Sequence, residues 1–75
     1  MFSTDHISRV LAARGRAEAL DAWREAAGLV STRWQLFLEA GPEGRRWAFA
    51  SYVAALDAEE AAAAEMAALT LPMAA

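Results

Sequence analysis

A chain of 75 residues with a net charge of −3 makes one domain at most. A core that small rarely contributes more than about 3–5 kcal/mol without a metal, a crosslink or a partner. No cysteine is present, which excludes disulfides and thiolate metal sites. The charge is too low and too acidic overall for a basic nucleic-acid footprint.

In chain order, Ser3 or Thr4 can cap a short first helix over about 4–14, with Asp5 favourable near its positive end. Ile7, Val10 and Leu11 form its apolar stripe, and Asp5 and Arg9 stand i,i+4 in the favourable order. That stripe does not run on to Leu20 and Trp23, so the apolar face changes phase near Gly15 and a break is expected there. A second helix, about 16–40, carries Leu20, Trp23, Ala27, Val30, Trp34 and Phe37 at helical spacing. Gly28 inside it hints at a close helix crossing. Gly41 ends this helix, and Pro42 suits the first position of the next because it has no N–H to lose. The third helix, about 42–70, carries Phe49, Val53, Leu56, Ala63 and Ala67. Pro72 is expected to stop it, and Met73–Ala75 to fray.

The fold class is therefore all-α: a short N-terminal helix plus a long antiparallel helical hairpin. A tight turn near 41–43 pairs positions whose numbers sum to about 84–86. Opposite charges then meet: Glu39 with Arg45 and Arg46, Arg24 with Glu60, and Arg16 with Glu65. Exposed pairs of this kind contribute only about 0.2–1 kcal/mol each, so they speak for register and not for stability. Side-chain sizes match as well, with Trp34 opposite Phe49 and Ala50, Trp23 opposite Ala61–Ala63, and Leu20 opposite Ala64. Trp34, Phe37, Trp47, Phe49 and Tyr52 crowd the end near the turn. One hairpin has a single contact face and cannot bury so many aromatics. Either the first helix folds back to give a three-helix unit or two hairpins pair into a homodimeric helical bundle, and the homodimer is the favoured expectation.

Twenty-one alanines account for nearly half of the 57% hydrophobic composition, so helix propensity is high while large apolar side chains are few. Lysine and asparagine are absent and every base is arginine, which suggests the codon usage of a high-GC bacterial or phage genome. No secretion signal or membrane-length apolar run is visible, and a soluble cytoplasmic protein is expected.

The candidate chemistry is sparse. Arg45 and Arg46 follow the turn at a helix N-terminus, where a phosphate or carboxylate can bind, but the lysine and Ser/Thr of a P-loop are missing. Asp57, Glu59, Glu60 and Glu65 make the last helix acidic, and they form either a solvated face or a docking face for a basic partner. No Glu-x-x-His pair accompanies them, so neither a metal nor a cofactor is expected. His6 has no nucleophile constellation around it. Trp23, Trp34, Phe37, Trp47, Phe49 and Tyr52 are the candidate interface residues, since tryptophan and tyrosine are enriched at interface hot spots. Size, acidity and alanine content are similar to those of the WXG-type two-helix proteins. Their turn carries Trp-x-Gly, whereas this one reads Gly41-Pro42-Glu43-Gly44, and no family is assigned.

The expected function is that of a small non-catalytic helical interaction module, an adaptor, scaffold part or regulator that binds itself and another protein. The alternative is a nucleic-acid-linked role. Arg9, Arg14, Arg16, Arg45 and Arg46 would then touch phosphates, or the acidic residues would block a nucleic-acid-binding protein.

Overall fold

The computed structural model describes residues 4–70. Two helices account for nearly all of them: α1, Thr4–Glu39, and α2, Arg45–Thr70. They pack antiparallel as a hairpin with extents of 64 × 25 × 12 Å. The expected cap at Ser3, the stop at Pro72 and the fraying of Met73–Ala75 lie outside the described residues.

The turn follows from its four residues. The Gly44 N–H donates to the Gly41 carbonyl at 3.1 Å, which leaves Pro42 and Glu43 at the two central positions. Proline at the first of these supplies the required φ. No non-glycine residue among those described has positive φ, so Glu43 does not adopt the left-handed conformation that type II requires at the second central position, and the turn is of type I. The Gly44 carbonyl accepts from the Ala48 N–H at 2.9 Å, the first bond of α2. Pro42 therefore belongs to the turn, and the helix begins at Arg45 rather than at 42. At the other side, the Ala40 N–H reaches back three residues to the Phe37 carbonyl at 3.2 Å, tightening the end of α1.

The break expected at Gly15 does not occur, because α1 runs unbroken from Thr4 to Glu39. The phase change in the apolar pattern is real but has another cause. In the register of the hairpin, residue 15 lies opposite the last described turn of α2. Residues 4–14 project about 16 Å beyond it, and Ile7, Val10 and Leu11 stay exposed. A helix interior tolerates glycine at a cost of about 1 kcal/mol, and that cost is not enough to end a helix with strong formers on both sides. Gly28 is not at a crossing either: it is exposed, and an added Cβ there would meet nothing within 4 Å.

Three contacts set the register: the Arg33 guanidinium donates to the Ser51 hydroxyl, the Trp34 ring packs against Tyr52, and Phe37 against Phe49. All three agree with the pairing expected from the turn. The charge pairs do not form. Among the described residues no ion pair joins Glu39 to Arg45 or Arg46, Arg24 to Glu60, or Arg16 to Glu65. Arg9 likewise uses its Nε to reach the Asp5 backbone carbonyl at 3.4 Å, not the carboxylate.

The seam between the helices is alanine-rich. The sheltered rows are Ala19, Trp23, Ala26, Val30, Arg33, Phe37 and Ala40 on α1, and Ala48, Tyr52, Ala55, Glu59, Ala62 and Met66 on α2. Both step by alternating fours and threes, the spacing of an antiparallel coiled-coil seam. Large positions of one row stand opposite small ones of the other: Phe37 near Ala48, Val30 near Ala55, Trp23 near Ala62. Among the described residues only Ala19, Ala48 and Ala55 are buried, and no large side chain falls below 2% exposure.

This seam corrects the expected stripes. Phe49, Val53, Leu56, Ala63 and Ala67 follow the seam of α2 by one position, and Leu20, Ala27 and Trp34 follow that of α1 by one. One residue rotates a side chain by about 100°, so these rows flank the contact instead of filling it.

Candidate interaction site

Two surfaces result, one on each side of the hairpin. Because the helices run antiparallel, the positions one residue after each seam position fall on the same side. We call this side the aromatic face. It carries Leu20, Trp34 and Leu38 from α1 and Phe49, Val53 and Leu56 from α2, together with Ala27, Ala63 and Ala67. Its charged members are Arg24 and Glu60. Four rings meet at its turn-proximal end, with centroids 5.5 Å apart for Trp34 and Phe37, 5.0 Å for Trp34 and Tyr52, 5.5 Å for Phe37 and Phe49, and 6.4 Å for Phe49 and Tyr52. All four pairs are tilted, a favoured aromatic geometry. The cluster is nonetheless open to solvent: Trp34 is 39% exposed and Phe49 49%.

The positions one residue before each seam position form the opposite side, the Trp47 face. It carries Leu29, Leu36 and Trp47, and along its length Glu39 near the turn, Glu25 near the middle, and Glu18 and Glu65 toward the open end. Trp47 is 77% exposed, more than any other large apolar residue in the described region. A shallow groove of about 220 Å³, lined by Leu29, Arg33, Ser51, Ala54, Ala55 and Ala58, runs along its middle. Small residues on α2 open this groove because they cannot fill the space beside Leu29.

The structure brings together four of the six candidate interface residues, Trp34, Phe37, Phe49 and Tyr52. Trp23 lies further along the seam, half-buried. Trp47 belongs to the other side of the molecule. The acidic residues do not share a face: Glu59 sits half-buried in the seam, Glu60 is on the aromatic face, Glu65 on the Trp47 face, and Asp57 points away from α1. No three His, Asp or Glu side chains converge among the described residues. Leu29, Leu36 and Leu38 were missed by sequence reasoning. They are exposed leucines beside a seam, and only the seam's position reveals which face each occupies.

Arg45 and Arg46 are exposed in the first turn of α2, where cations meet the positive end of the helix dipole, while Glu39 ends α1 at its negative end. Both placements cost stability rather than contribute it. No helix among the described residues is long and apolar enough to cross a membrane. No family model, curated protein or solved structure matches this chain.

Proposed function

We propose that this chain is a non-catalytic helical interaction module, an adaptor, scaffold part or regulator that acts by presenting helical surface to another protein and to itself. One observation carries the reading: a hairpin whose buried residues, among those described, are three alanines leaves Trp34, Trp47, Phe49 and four leucines, Leu29, Leu36, Leu38 and Leu56, exposed on its two faces. Monomeric proteins seldom leave contiguous apolar patches of more than a few hundred Å² uncovered without a binding role.

The hetero-partner is assigned to the Trp47 face. An exposed tryptophan with Leu36 and Glu39 at the same end of the face fits a partner that supplies an apolar pocket with arginine or lysine at its edge. The test is capture by the tagged chain from its native host, with and without nuclease, compared with Trp47→Ala. A stoichiometric protein that survives nuclease and is lost with Trp47→Ala is the expected result. Capture that disappears on nuclease treatment would replace this reading by the nucleic-acid one, and a partner indifferent to Trp47 would remove the face assignment.

A further inference from the structure

We infer that the aromatic face is the self-association surface, and that a second copy covers it in antiparallel fashion to give a four-helix bundle. The inference deepens the self-binding part of the proposed function and rests on it, but not on the assignment of Trp47 to another protein.

Exposed area comes first. A compact monomer of this mass exposes about 4,500 Å²; this one exposes 6174 Å². The excess, about 1,700 Å², is roughly twice the 800 Å² or so that each partner buries in a standard interface. Pattern comes second. Each helix of a four-helix bundle needs two adjacent seams, one for each neighbour. On α2 the row Phe49, Val53, Leu56, Glu60, Ala63, Ala67 repeats the four-three step of the occupied seam one position away. On α1 the row Leu20, Arg24, Ala27, Ser31, Trp34, Leu38 does the same. Both rows lie on one side of the hairpin. Phe49, Val53 and Leu56 are 49%, 37% and 38% exposed, although they are the largest apolar side chains of α2's outer surface on that side.

Charge selects this face over the other. Two Trp47 faces brought together would oppose four carboxylates with four more, and like charges so placed repel. The aromatic face carries one charge of each sign.

Side-chain size selects the direction. The face is bulky near the turn, with Trp34, Leu38, Phe49 and Val53, and lighter at the open end, where Leu20 stands with Ala63 and Ala67. Stacking turn on turn would wedge the bundle apart at one end. Antiparallel stacking lays each bulky half on the other copy's lighter half and keeps the spacing even. A two-fold axis passing near Ala27 and Leu56 then puts Phe49 beside Ala63 of the second copy and Trp34 beside Leu20.

The test uses the whole chain. Sedimentation equilibrium of the native protein should give twice 8.1 kDa. Leu56→Glu should weaken association by a hundredfold or more, while Leu36→Glu and Trp47→Glu leave it within a few-fold. Because Leu56→Glu can also unfold a chain that is stable only as a dimer, crosslinking gives a second readout. The natural chain has no cysteine. Leu56→Cys should oxidise to a covalent dimer, and so should the double variant Phe49→Cys with Ala63→Cys, whereas Phe49→Cys alone should not. A monomeric mass at 100 µM with melting independent of concentration would overturn the inference. So would association lost with Leu36→Glu but kept with Leu56→Glu, or efficient crosslinking through Phe49→Cys alone, which marks turn-on-turn stacking. A dimer with these properties that captures no other protein would leave the inference standing and remove the hetero-partner reading.

Discussion

At the scale of single residues, the two helical glycines are the clearest weak points. Neither Gly15 nor Gly28 has anything within 4 Å of an added Cβ, and neither has positive φ. Alanine at each should therefore stabilise the hairpin by about 0.5–1 kcal/mol through lower chain entropy and better helix propensity, read as a raised midpoint in urea. The Arg33–Ser51 contact is the polar tie across the seam. Ser51→Ala removes the acceptor while leaving the guanidinium access to water, so the expected cost is about 0.5–1.5 kcal/mol. A cost near zero in thermal melts would show that the contact only accompanies the register set by the aromatics.

At the scale of elements, helix ends and overhang control behaviour. The first turn of α2 holds two arginines where the dipole favours acids. Arg45→Glu should accordingly raise stability by about 0.3–1 kcal/mol at low salt, an effect that fades as ionic strength rises. A loss of stability instead would mean that Arg45 has a partner that offsets its position. The first eleven residues of α1 stand beyond the described part of α2, and Ile7, Val10 and Leu11 among them are exposed. Their amides should exchange orders of magnitude faster than those of residues 26–37, measured by native-state hydrogen exchange. Equal protection would show that a second chain or some other cover reaches the overhang.

At the scale of the whole molecule, shape is the informative quantity. A compact chain of this length has a radius of gyration of about 11 Å, and the hairpin has 17.9 Å. Among the described residues only three alanines are fully buried and the large seam side chains Trp23, Val30, Phe37, Tyr52 and Met66 are half-buried, so the hydrophobic contribution of one hairpin is modest against the entropy of ordering two long helices. Stability should therefore be coupled to association. The melting temperature is expected to rise by several degrees over a hundredfold increase in protein concentration, and a concentration-independent melt would place the missing stabilisation inside one chain.

Much of this architecture was legible in the residues themselves. Alanine content and three-to-four spacing announce helices, Gly41-Pro42-Glu43-Gly44 announces the turn, and a tight turn leaves antiparallel pairing as the only short connection, which is why the Trp34–Tyr52 and Phe37–Phe49 contacts match the expected register. These are local properties, decided by backbone preference within a few residues. The continuity at Gly15 was not legible, because a phase change in an apolar stripe looks the same whether the chain bends or its partner helix ends. Nor was the allotment of side chains to faces. Where apolar residues stand at neighbouring positions, such as Tyr52 and Val53 or Ala55 and Leu56, periodicity accepts either as the seam. Packing decided between them: two helix axes approach closely only through small side chains, so Ala48, Ala55 and Ala62 took the seam and left Phe49, Val53 and Leu56 on the outside.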